Sequence, residues 1–114
     1  MALFNRKKQK ISEQAVIVHY NLSDDEHGST EEREAVFRLE DSLVTLIEGH
    51  KVGEFDGNEF GGGEAVLYSY GPDADRLFAV IEQELRSFTA RPAYATIRYG
   101  DVAEPSVTER RVDL

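Results

Sequence analysis

Phe60-Gly61-Gly62-Gly63-Glu64-Ala65-Val66-Leu67-Tyr68-Ser69-Tyr70 decides the fold, because three successive glycines separate two strand-like runs. Glycine reaches positive φ without a Cβ clash, so Lys51–Phe60 and Glu64–Tyr70 read as the two arms of a hairpin. Asp56-Gly57 is a competing turn, and using it would shorten the first arm and leave the glycines as a bulge in the second. Upstream, Ser29-Thr30-Glu31-Glu32 has the spacing of a capping box, in which Ser29 caps the helix amides and Glu32 reaches back to the Ser29 amide. The spacing of Val36, Phe37, Leu39, Leu43, Val44, Leu46 and Ile47 predicts a helix over Glu31–Glu48, with Gly49 as its left-handed stop.

Before that helix, Gln14-Ala15-Val16-Ile17-Val18-His19-Tyr20 is β-branched and aromatic and runs into the polar stretch Asn21–Thr30, the pattern of a strand and a loop. Beyond the hairpin, Asp73 caps a second helix carrying Leu77, Phe78, Ile81, Leu85 and Phe88, which ends before Arg91-Pro92. Ala93–Tyr99 alternates as a fourth strand, and Val107–Leu114 is the candidate for a fifth at an edge. The order is strand, helix, strand, strand, helix, strand, the split-βαβ pattern.

Over residues 14–100 the chain therefore resembles the ferredoxin-like fold. The resemblance implies an α+β sandwich: an antiparallel four-stranded sheet of order 4-1-3-2 with two helices on one face. The run Gly53-Glu54-Phe55-Asp56-Gly57-Asn58-Glu59-Phe60-Gly61-Gly62-Gly63-Glu64, with Tyr70-Gly71-Pro72-Asp73-Ala74-Asp75, is similar to small bacterial proteins of uncharacterised function. That likeness brings no catalytic residues with it. The fold hosts regulatory, RNA-binding, enzymatic and interaction domains alike, so function has to be argued from the site.

The chain has 114 residues, one domain's length, and no run of about 20 apolar residues to cross a bilayer. It contains no cysteine, which leaves no thiol nucleophile, thiolate zinc site or disulfide framework and suits a cytoplasmic setting. Residues 1–10 hold four of its 13 Lys and Arg and none of its 22 Asp and Glu. Residues 1–13 thus read as a basic arm, without the apolar core of a secretory signal, and 14–114 as a single acidic α+β domain. An acidic body repels polyanions, so nucleic acid is not an expected partner and basic or neutral partners are.

Strand alternation names the candidate site. If Val16 and Val18 face the helices, Ile17 and His19 face away; Ala95, Ile97 and Tyr99 inward put Tyr94, Thr96 and Arg98 outward, and Val66, Tyr68 and Tyr70 complete the outer face. The candidate binding residues are His19, Tyr68, Tyr70, Tyr94 and Arg98, aromatic and arginine anchors of the kind protein interfaces use. The reversed parity, with the tyrosines in the core, and a C-terminal segment covering the face are the competing readings.

Other patterns fall short. Glu64-Ala65-Val66-Leu67-Tyr68 lacks the basic and aromatic positions of the RNA-binding β3 motif. Asp56-Gly57-Asn58-Glu59-Phe60-Gly61 begins like a calcium loop, but Phe60 stands at its fifth position and Leu67 at its twelfth. The glycine run lacks a following Lys-Ser/Thr and is flanked by carboxylates, so it is no phosphate cradle. Asp24-Asp25-Glu26-His27 reads as a solvated acidic loop, and no two of His19, His27 and His50 have metal-ligand spacing on one helix. No metal or cofactor is expected. The expected function is an acidic interaction module, inhibitor or immunity-like, that meets a protein partner or a second copy of itself through the outer sheet face. The alternatives are a dimeric regulatory domain for a small molecule and, further off, an enzyme with His19 as base, assisted by Glu64 or Tyr68.

Overall fold

The computed structural model describes residues 13–23, 26–100 and 106–114. The basic arm, apart from Glu13, and Asp24 and Asp25 of the acidic loop lie outside these residues. The elements are β1 (Gln14–Asn21), α1 (Thr30–His50), β2 (Glu54–Gly61), β3 (Glu64–Gly71), α2 (Ala74–Ser87), β4 (Ala93–Arg98) and β5 (Glu109–Asp113). All strand pairs are antiparallel, in the order β2-β3-β1-β4-β5. The sheet thus differs from the expected four-stranded one in that β5 is a full member, hydrogen-bonded along β4.

The helices bury one face of this sheet. Val16, Val18 and Tyr20 of β1, Ala65 and Leu67 of β3 and Ala95 and Ile97 of β4 form one cluster with Val36, Leu39, Leu43 and Ile47 of α1 and Leu77, Phe78, Ile81 and Leu85 of α2. The helical spacing explains the selection: these α1 residues recur every three or four positions, whereas Phe37, one position off the stripe, is exposed. The capping box forms as expected, and the Glu32 carboxylate also accepts the Ser23 amide and hydroxyl, each at 2.9 Å. These backbone and side-chain donors hold the Glu32 carboxyl below its usual range and tie both ends of the loop after β1 to the helix start.

One local expectation is corrected, and of the two candidate hairpin turns the glycine run is the one used. Gly49 lies within α1, and the left-handed residue is Lys51, at φ 55°. Its amide bonds to the Glu48 carbonyl and that of Val52 to the Ile47 carbonyl, each at 3.2 Å, the paired closure of a Schellman stop. The stop falls there because Val52 has to turn back into the core that holds Ile47, and that contact outweighs the glycine preference. In the hairpin the turn is made by Gly62 and Gly63, both at positive φ, while Asp56-Gly57 is a bulge within β2. The Gly63 carbonyl accepts from Leu22 and its amide donates to Glu26, so the hairpin tip is bonded to the loop after β1.

The second helix ends without a left-handed residue, its C-cap Phe88 being extended. Side chains take over its last carbonyls: Arg91 donates to the Arg86 and Phe88 oxygens, and the Tyr20 hydroxyl donates to the Leu85 oxygen at 2.6 Å. Burial raises the Tyr20 hydroxyl far above its usual pKa, which keeps it a neutral donor. Tyr20→Phe keeps the ring's packing but leaves the Leu85 carbonyl buried and unpaired, an expected loss of about 1–3 kcal/mol in chemical denaturation. An unchanged midpoint would show that the carbonyl finds another donor.

Candidate functional site

The opposite face of the sheet carries the candidate site, and the register decides who meets there. His19 stands opposite Val66 on β3 and Tyr94 on β4; Ile17 stands opposite Tyr68 and Thr96. Arg111 of β5 lies opposite Thr96 and Asp113 opposite Tyr94. Side chains of directly paired residues share a face, so His19, Tyr68, Tyr94, Thr96, Arg98, Arg111 and Asp113 all belong to the side away from the helices.

At the centre is a stack. The His19 and Tyr94 rings are 4.6 Å apart between centroids and inclined by 9°. The Arg111 guanidinium carbon sits 3.8 Å from the Tyr94 centroid. β1 and β5 flank β4 on opposite sides, so the Tyr94 ring is held between the imidazole and the guanidinium. Each outer member is anchored by a carboxylate. His19 Nδ1 is 3.3 Å from Glu64 Oε1, and Arg111 Nε donates to Asp113 Oδ1 at 3.0 Å. A carboxylate oxygen accepts, so in this contact His19 Nδ1 is the donor and Glu64 holds the ring in place.

Two further pairs border the stack. Arg98 bonds to Glu109, and the Tyr68 hydroxyl donates to Glu59 at 2.6 Å. Burial, reinforced by the Glu59 carboxylate, raises the Tyr68 hydroxyl above its ordinary pKa, so this phenol too remains a neutral donor. In all, Glu64, His19, Tyr94, Arg111 and Asp113 form a continuous ladder over β3, β1, β4 and β5. Its imidazole is positioned by a carboxylate and stacked on a phenol, an arrangement that fixes the orientation of the ring.

Of the five expected residues, the structure brings His19 and Tyr94 into contact and places Tyr68 and Arg98 on the same face, opposite Ile17 and Ala15, one and two cross-strand rows away. Tyr70 is corrected: the register puts it on this face beside Ala15, yet it is 1% exposed and offers no accessible surface. It also stands outside the cluster between sheet and helices. Sequence reading missed Arg111, Asp113, Glu109 and Glu59. The signal for the first three was alternation in Glu109-Arg110-Arg111-Val112-Asp113, which can be used only once β5 is registered on β4.

Elsewhere, Asn58 of the calcium-like run donates to Glu40 of α1, so its side chain serves sheet–helix packing. Among the described residues no three His, Asp or Glu are grouped to hold a metal ion, and no helix is long and apolar enough to cross a membrane. A groove of about 370 Å3 between the helices, lined by Asp41, Ser42, Thr45, Leu46 and Glu84, lies on the other side of the molecule. The chain matches no family model, no curated protein sequence and no solved structure.

Proposed function

We propose that the chain is a small interaction module of ferredoxin-like fold that binds a protein partner through the open face of its sheet. The element order and the four neighbouring strands β2-β3-β1-β4 support the fold reading, with β5 as an added edge. The His19–Tyr94–Arg111 stack carries the functional reading: it puts two planar groups and a guanidinium, pre-ordered by carboxylates, together on one face. Aromatic and arginine side chains held rigid before contact lose little entropy on binding, which is why such groups dominate interface energetics. Among the described residues the face also carries Glu54, Glu59, Glu64, Glu109 and Asp113 against Arg98 and Arg111, and the whole chain has a net charge of −9. A basic partner would be steered to such a surface, the behaviour of an inhibitor or immunity-type protein acting in the cytoplasm.

A photoreactive amino acid placed at Thr96, amid the stack, tests this against the same probe at Gln83 on the exposed side of α2. Irradiated cells are expected to yield one discrete protein adduct from the Thr96 probe and none from the Gln83 probe. Adducts from Gln83 alone, or from neither site, would overturn the proposal.

A further inference from the structure

The edge strand β5 carries an inference separate from the reading of the face. In an antiparallel pair, residues alternate between those bonded to the neighbouring strand and those directed away from it. Leu114 donates to the Ala93 carbonyl at 2.9 Å, and Tyr99 donates to the Thr108 carbonyl at 3.0 Å. With the register of β4 on β5, residues 108, 110, 112 and 114 turn their amides and carbonyls toward β4. Glu109, Arg111 and Asp113 therefore turn theirs outward at the sheet's edge. Such an edge is a template for another strand.

The sequence of the edge selects the strand. Only odd-numbered residues present outward groups, so if the occupant is a second β5, odd must oppose odd. Centred on Arg111, an antiparallel pair would oppose Arg111 to itself and Glu109 to Asp113. Centred on Arg110, it would set two Arg110 side chains against each other at the axis. Centred on Val112, it sets Arg111 opposite Asp113 of the second copy, twice, with the two valines at the axis. The Arg110 register also opposes Glu109 to Arg111 of the second copy but brings two arginines together at the axis, whereas the Val112 register joins unlike charges and puts an apolar residue where the side chains approach most closely. The side chains of Arg111 and Asp113 are 63% and 81% exposed, so both can reach across.

We propose that two copies of this chain pair through β5 in the register centred on Val112, forming one continuous ten-stranded sheet. Arg111 and Asp113 of the two copies exchange four backbone hydrogen bonds, and both open faces lie on the same side. Each Arg111, already held over Tyr94, then lies between its own Asp113 and that of the second copy.

The absence of cysteine in the natural chain gives a direct test. Val112→Cys, Arg110→Cys and Arg111→Cys, each the sole thiol, are oxidised at equal concentration and resolved by non-reducing electrophoresis. Residues opposite each other in a non-bonded antiparallel pair lie about 4.5 Å apart, within disulfide range, so Val112→Cys is expected to form the cross-linked dimer and the other two not. Sedimentation equilibrium of the unmodified protein up to about 1 mM is expected to show a species of twice 12.8 kDa. Asp113→Lys is expected to weaken it about tenfold, and Arg111→Asp with Asp113→Lys to recover most of the loss. A monomer throughout, preferential cross-linking at Arg110→Cys or Arg111→Cys, or equal cross-linking at all three would overturn the proposal. Val112→Cys and Arg110→Cys leave the His19–Tyr94–Arg111 stack and its carboxylates untouched, so these two variants tell a failed edge from a failed face.

Discussion

Gly53→Ala is expected to lower the thermal midpoint by about 10–20 °C. A Cβ at Gly53 would come within 2.0 Å of the Tyr70 carbonyl oxygen, and one at Gly71 within 2.2 Å of the Val52 oxygen. Both clashes are with backbone, so no side chain can swing aside, and the start of β2 has to separate from the end of β3. Gly53 also sits at φ 151°, where an L side chain is strained. A cost of about 2–4 kcal/mol for such overpacking corresponds to that shift in a domain near this size. Gly49→Ala is the control. Its Cβ would meet nothing within 4 Å on α1, and it is expected to raise the midpoint by a few degrees through helix propensity. Equal midpoints for Gly53→Ala and the unmodified protein in calorimetry would show that the two strands do not approach as described.

Tyr94→Ala is expected to cost about 2 kcal/mol or more in partner affinity, a loss of about 30-fold, while the protein stays folded. The ring is half-buried and lies outside the core cluster, so its removal leaves no core cavity. It does remove the surface on which His19 stacks and over which Arg111 lies, so the ring is lost and two further contact groups lose their orientation with it. Tyr94→Phe keeps the stack and is expected to retain most of the affinity. Titration calorimetry with the partner recovered from the Thr96 adduct distinguishes the two variants. Equal losses for both would assign the effect to the hydroxyl and not to the stack.

How far the sequence was legible follows from the range of the interactions involved. The Ser29–Glu32 capping box, the Asp73 cap and the Gly62-Gly63 turn are formed within a few residues, and each could be read directly. Parity in β4 was equally legible, since Ala93–Tyr99 alternates, whereas in β1, where Val16, Ile17 and Val18 are all apolar, it could be set only as a condition. The helix stop at Lys51 was not, because it is set by the packing of Val52 with Ile47 and not by the local glycine. Alternation assigns a face but not how deeply that face is covered, which is why Tyr70 was expected at the surface. The partners of the site were hidden for a third reason. Arg111 meets Tyr94 only through the β4–β5 register, which the residues between these strands do not encode in any local pattern.

The central claim is that the open sheet face, and not the helix layer, is the binding surface. The measurement that tests it most directly is the NMR footprint of the recovered partner on isotope-labelled protein, read at the His19, Tyr68, Tyr94 and Arg111 side chains and at all backbone amides. The account predicts that resonances of these four residues and of Ile17 and Thr96 shift or broaden first. It predicts that Asp41, Ser42, Thr45 and Glu84, around the groove between α1 and α2, stay unmoved. A footprint centred on that groove, with the His19–Tyr94–Arg111 stack unperturbed, would contradict it.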